Sequence, residues 1–243
     1  MGKVTDLRPT QQLVPRQSAS DPGPGDLHPA AREAVSRMLR QDIAAGIIPA
    51  GTRLIQSRLA QRFGVSTGPV RDALRMLADE GFVRFGAGGI AIVHEINGIE
   101  LEELYEIRKL LEPVAAARAA RFASRASILR AGELIAAMDR ETDAARWSQY
   151  NSCFHRVIEQ SGTSQRSAAI MENLRDLCAV HVSNAITAEP GRGRGANAEH
   201  EEILRAIITG DAEAAADAMF RHLDGRQRRM PNVHQLGDRP VSR

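Results

Sequence analysis

Between about residues 30 and 229 apolar positions recur at three- and four-residue spacing, the mark of helices that bury one stripe. From 30 to 45, Ala34, Val35, Met38, Leu39 and Ile43 share one helical face, and AGIIPAG then closes the helix with glycine and proline. RLIQSRLAQRFG predicts a short second helix with Leu59 and Phe63 inward and Gly64 as a left-handed cap. A third helix follows at once. Ser66 can cap it, Pro69 is tolerated in its first turn, and Val70, Leu74 and Leu77 face inward. After Gly81 the period changes to two: FVRF and IAIVHEI, joined by GAGG, predict a hairpin. Helix, helix, turn, helix, hairpin is the order of a winged helix-turn-helix.

Beyond about 97 the helical pattern lengthens, over roughly 98 to 123, 126 to 140, 142 to 161, 165 to 188, 197 to 209 and 211 to 229, with EPGRGRGAN (189 to 197) as the clearest loop. Residues 1 to 25 hold too little apolar surface to offset ordering and predict a disordered tail; 230 to 243 predict a mobile one. The expected organisation is mainly α: a winged helix-turn-helix domain over 26 to 95 and an all-helical antiparallel bundle over 98 to 229. A hydrophobic fraction of 43% with only 4% aromatics agrees with packed helices.

Charge separates the two parts. From Arg53 to Arg75 there are five arginines against one acid, Asp72, whereas 96 to 220 carries 14 basic and 19 acidic residues, so a polyanionic partner is expected for the first part only. The alternative is a solvated face. Two cysteines, Cys153 and Cys178, make no disulfide framework. No apolar run of about 18 residues predicts a membrane span and no signal peptide is visible, so the expected location is the cytoplasm.

In a helix-turn-helix the second helix of the pair enters the major groove, its first turn at base edges and its neighbours on phosphates. Arg71, one turn in, suits a guanine or a phosphate; Ser66 and Thr67 suit the DNA backbone, and Gly68 permits close approach of the duplex. Arg53, Ser57, Arg75 and Gly88 at the wing tip complete the candidate DNA-binding set. The plainer reading is an ordinary helical hairpin surface.

The stretch GIIPAGTRLIQSRLAQRFGVSTGPVRDALRMLADEGFVRF closely resembles the DNA-binding domain of the GntR family of bacterial transcription regulators, over about 31 to 93. The resemblance is carried by Pro49-Ala50-Gly51, Arg53-Leu54, Leu59-Ala60, Gly64-Val65-Ser66, Pro69-Val70-Arg71, Ala73-Leu74 and Gly81. Three positions depart from the family pattern. Thr67 and Gly68 stand where relatives tend to carry an arginine and a threonine, and Gly88 where the wing is commonly basic, so the usual operator is not implied.

Three histidines sit on inward helical faces. Trp147, Asn151, Phe154, His155 and Ile158 form one stripe, His200 precedes Ile203 and Ile207, and His222 follows Ala218 and Met219. Each alone reads as a core histidine; together they can converge on Zn²⁺ or Ni²⁺. The stretches ELYEIRKLLEPVAAARAA, NSCFHRVIEQSG and EHEEILRAIITGDAEAAADAMFRHL are similar to the FCD-type effector domain of the FadR branch of that family. The resemblance implies a homodimer and a metal site of Asp and three His, here Asn151, His155, His200 and His222, with asparagine at the aspartate position. Losing that negative charge should weaken the metal and favour an anionic ligand, and a carboxylate effector is expected to complete the coordination.

Arg108 lies on the apolar stripe of Leu101, Leu104 and Leu111 and needs an anion, either an acidic effector, as the resemblance implies, or Glu112 four residues on. His181, inward with Leu174, Leu177 and Cys178, is a second candidate for the effector cavity or a plain core residue. The expected protein is a regulator, most often a repressor in this family, that binds double-stranded operator DNA as a homodimer under control of a small carboxylate. Two alternatives stand beside it: a metal-dependent hydrolase on His155, His200 and His222 with Glu159 as the closest candidate base, and a sensor of metal alone.

Overall fold

The computed structural model describes residues 27–189 and 191–229, so the two predicted tails lie outside the described residues. The chain divides between Glu95 and Ile96 into two compact units.

In the first unit α1 (Leu27–Ala44) and α2 (Gln56–Phe63) both pack on α3 (Thr67–Asp79). Val35, Leu39, Val70, Leu74 and Leu77 are buried between them. Gly64 ends α2 at φ 66°, and its N–H reaches the carbonyls of Ala60 and Gln61, so the turn into α3 needs a residue without a Cβ penalty. Ser66 occupies the N-cap of α3 in extended conformation, but its side chain makes no capping hydrogen bond. The wing contains β2 (Val83–Phe85) and β3 (Ala91–Val93), with Gly88 at φ 74° in the turn between them. Sequence periodicity missed one strand: β1 (Arg53–Leu54) pairs antiparallel with β3, Arg53 opposite Ile92, giving a sheet of order β1-β3-β2. A two-residue strand is too short to carry a period of its own.

The second unit is a bundle of α4 (Gly98–Phe122), α5 (Arg125–Arg140), α6 (Ala144–Gly162), α7 (Gln165–Ala188), α8 (Arg192–Thr209) and α9 (Ala212–Arg228). Most starts are capped by short polar side chains: Asn97 forms a reciprocal capping box with Glu100, and Ser124, Asp143, Ser164 and Asp211 each accept from a backbone N–H three residues on. Helix α4 packs against α9, α6, α8 and α7 around Tyr105, Phe154, Met138, Ile203 and Met219. Gly162 of α6 lies directly against the α4 backbone, where an added Cβ would meet the Ala115 carbonyl oxygen. Arg118 Nε donates to the Gly162 carbonyl at the same place.

The loop expected over 189 to 197 is shorter than predicted, because α8 begins at Arg192 and takes in Gly193 and Gly195. Packing supplies the reason. Gly193 abuts the Trp147 indole, whose Nε1 would lie 3.2 Å from an added Cβ, so tertiary contact outweighs glycine's poor helix propensity. Among the described residues no helix is long and apolar enough to cross a membrane.

Candidate functional site

The first candidate surface is the exposed side of α3 and the wing. The inward positions Val70, Ala73, Leu74 and Leu77 fix the rotation of α3, which turns Thr67, Arg71 and Arg75 outward, all exposed. Arg53, Ser57, Ser66 and Gly88 are exposed as well, so every candidate DNA contact except Gly68 is open to solvent. Asp72 draws loosely on both arginines, 3.8 Å from Arg71 and 4.0 Å from Arg75, contacts too long and too exposed to neutralise them. Gly68 is half-buried, and an added Cβ would come 3.0 Å from Nε2 of His28, so α1 borders this glycine. One expectation is corrected here. Arg62 leaves the basic patch to bond Asp42 at 2.6 Å. His28, at the start of α1, was not singled out in the sequence, since only the fold brings it beside α3.

The second candidate lies inside the bundle. His155 on α6, His200 on α8 and His222 on α9 are all fully buried and offer ring nitrogens within 4.8 Å of one another. Burial pushes His155 down to about 4, and holds His200 and His222 well below the ordinary imidazole value, with Arg226 repelling protons from both. All three are therefore neutral at pH 7, the form that ligates metals. His155 Nε2, His222 Nε2 and both nitrogens of His200 have no hydrogen-bond partner. Buried nitrogens left in this condition cost stability unless something binds them, and three of them converging fit a divalent transition metal.

The surrounding shell was only partly legible. His222 Nδ1 is hydrogen-bonded to Glu199 Oε2 at 2.8 Å, which Arg229 also engages at 2.9 Å. His155 Nδ1 stands 2.9 Å from Glu112 Oε2, close but misaligned for a hydrogen bond. Carboxylates behind imidazoles in this way orient ring nitrogens toward a metal. Asn151 Oδ1, expected as the fourth ligand, accepts a hydrogen bond from Arg226 Nη2 at 3.0 Å, so part of its acceptor capacity is spent. Arg226 is four residues beyond His222 on α9, and that helical spacing was the available signal for it.

Arg108 is resolved in favour of the internal pair. Its Nε donates to Glu112 Oε1 at 2.6 Å, both groups are buried, and the guanidinium lies over the Tyr105 ring. Glu159 does not stand free beside the histidines as a base: Arg175 Nη1 donates to both its oxygens, at 2.5 and 2.6 Å. His181 lines a cavity of about 300 Å³ together with Tyr105, Glu199, Arg226 and Arg229, while Arg108 is absent from its walls.

A winged helix with a basic exposed face, followed by a separate all-helical unit, defines a transcription regulator as the class. Residues 31–91 match the family of bacterial regulatory proteins called gntR, and residues 103–225 match the FCD domain. The chain belongs to the GntR family, in the group whose second domain is FCD. It is a transcription regulator rather than an enzyme, and regulators of this family bind operator DNA. The gluconate operon transcriptional repressor of Bacillus licheniformis is 26% identical over 203 residues, 80% of this chain and 83% of that protein. The Uxu operon regulator of Haemophilus influenzae is 27% identical over 213 residues, 78% of each. E. coli McbR/YncC, at 21% identity, shares the fold with a TM-score of 0.74 over 85% of this chain and 98% of that structure.

Proposed function

We propose that this chain is a repressor of the FadR branch that binds a two-half-site operator as a homodimer and is controlled by a small carboxylate held beside a Zn²⁺ or Ni²⁺ centre. The observation that carries the reading is the trio of buried, neutral imidazoles with unpartnered nitrogens. His155, His200 and His222 would hold the metal, and Asn151 would add at most a neutral oxygen already shared with Arg226. When bound, the metal supplies a positive charge that an anion can answer. The metal-sensor reading differs only in needing no anion.

A second copy is supported by α4. Its inner face carries Leu101, Tyr105, Ala115 and Ala119, yet Ile107, Leu110, Leu111 and Val114 form another apolar stripe at i, i+3, i+4, i+7 that is exposed, Leu110 to 73%. Two apolar faces on one helix call for two partners, and a two-fold interface would present two α3 helices to a pseudo-palindromic site. The names of the gluconate operon repressors support repression over activation.

Metal analysis of the purified full chain and of His155→Ala, paired with operator titrations with and without EDTA, tests the core of this. Stoichiometric zinc or nickel in the wild type and loss in the variant are expected. Absence of metal from both after loading would end the metal reading.

A further inference from the structure

We propose that Arg84 anchors DNA: with Arg53 it forms a sequence-blind clamp on two phosphates of one operator strand, on the outer face of the small sheet. The inference rests on the operator-binding reading above and adds a residue and a surface to it.

The register of the sheet builds the clamp. Arg53 of β1 and Arg84 of β2 both stand opposite Ile92 of β3, so the three side chains form one row across the strands. Pleating sends such a row to a single face, and burial identifies the face. Leu54, Val83, Ala91 and Val93 are buried on one side of the sheet, whereas on the other Arg53 and Arg84 are exposed and Ile92 is half-buried. Neighbouring strands lie about 4.8 Å apart, which sets the two arginine backbones roughly 10 Å from each other with an isoleucine between them. A DNA strand offers the complementary order of groups: a phosphate, a sugar edge of C–H bonds, and the next phosphate.

Both guanidinium groups are free to take up phosphate. Among the described residues no acid pairs with either of them, while in the same unit Arg40 is held by Glu80 and Arg62 by Asp42. The tip of the wing cannot supply this anchoring itself. Gly86, Ala87, Gly88 and Gly89 are exposed and carry nothing larger than a methyl group, so Arg84, two residues before the turn, is the cation that β2 places next to the tip. Strand β2 packs on α3, so the row is held in fixed relation to the reading helix. A duplex held by α3 alone could rock about that helix; phosphate contacts at a second place fix its register. Arginine suits the task because its planar fork matches phosphate oxygens in pairs.

Phosphates carry no sequence information, which gives the clamp a signature that separates it from a base contact. Each phosphate neutralised contributes about 0.9 to the slope of log K against log salt, so one arginine from each of two subunits contributes about 1.8. Fluorescence anisotropy on the full-length protein, with its selected operator and with a random duplex of the same length, measures this between about 50 and 200 mM salt. Arg84→Gln should bind both duplexes at least about tenfold more weakly at low salt, the size expected from lost charge-assisted bonds. Its slope should flatten by about 1.8, and that of Arg53→Gln with Arg84→Gln by about 3.6. Arg84→Lys should keep the slope, and Arg84→Thr, whose branched side chain suits a strand, should flatten it as the glutamine does. Arg205→Ala removes an exposed arginine of α8 and should leave the slope unchanged. An unchanged slope in Arg84→Gln, a loss confined to the selected operator, equal flattening by Arg205→Ala, or a dimer that dissociates in Arg84→Gln overturns the proposal. Wild-type protein that binds no duplex defeats the operator reading itself, whereas a wild type that shares its salt slope with Arg84→Gln defeats only the clamp.

Discussion

Acidification from pH 6.5 to 5.5 should destabilise the helical unit of the metal-free protein before most carboxylates titrate. Burial holds His155 at about 4 and His200 and His222 well below 6.5, so the folded unit resists protonating them as the pH falls below 6.5. The unfolded chain has by about pH 5.5 taken up close to three protons, its imidazoles titrating near 6.5. Glu159 acts in the opposite sense. Burial raises it to about 7 against the pull of Arg175, so the folded unit keeps one proton that the unfolded chain has released. The unfolded imidazoles go from half to about nine-tenths protonated between pH 6.5 and 5.5, and after the offset from Glu159 stability falls by roughly 2 kcal/mol over that unit of acidification. The depressed histidines contribute stability that is complete above about pH 6.5 and is lost as pH falls toward their folded values. Urea unfolding in EDTA at half-unit steps, followed by Trp147 emission, measures the slope directly, since the indole stacks on His200 inside this unit. His200→Gln should halve the slope by removing one of the two excess protons. A flat or rising stability between pH 6.5 and 5.5 would refute the buried neutral trio.

Three further perturbations follow from specific contacts. Gly162→Ala, which on an ordinary helix would gain about 1 kcal/mol, should instead destabilise the bundle by about 3 kcal/mol or more, because the new methyl meets the α4 backbone; thermal melting measures the sign. Asn151→Asp should raise zinc affinity at least about tenfold by adding a charged oxygen, as read by competition with a chelating dye; unchanged affinity would separate this residue from the metal. Leu110→Asp combined with Val114→Asp should shift the full chain from dimer to monomer in sedimentation velocity and weaken operator binding, and an unchanged dimer would place the interface elsewhere.

What was legible in the sequence was local. Gly64, Pro69 and the buried positions of α3 declare the helix-turn-helix within a dozen residues, and the α6 histidine falls on a stripe with Trp147 and Phe154. Arg108 had to find an anion, and its partner proved to be Glu112 one turn away. The unread features depend on contacts distant in sequence. Glu112 reaches His155 from another helix and Arg226 reaches Asn151 from a position 75 residues later, contacts that no spacing along a single helix announces. His28 beside Gly68 and Trp147 beside Gly193 are of the same kind: the fold brings a side chain against a glycine that looked like a loop or a docking surface.

Reading of operator DNA by the exposed face of α3 should depend on Arg71, one turn into that helix. Selection from random duplexes with the full-length protein, followed by fluorescence anisotropy on the enriched site, should give a pseudo-palindrome bound tightly by the wild type. Arg71→Ala should bind that site at least about tenfold more weakly with its fold intact, the loss expected from one base or phosphate contact made by each of two subunits. Equal binding by the variant, or enrichment of no sequence at all, would show that α3 does not read DNA through Arg71.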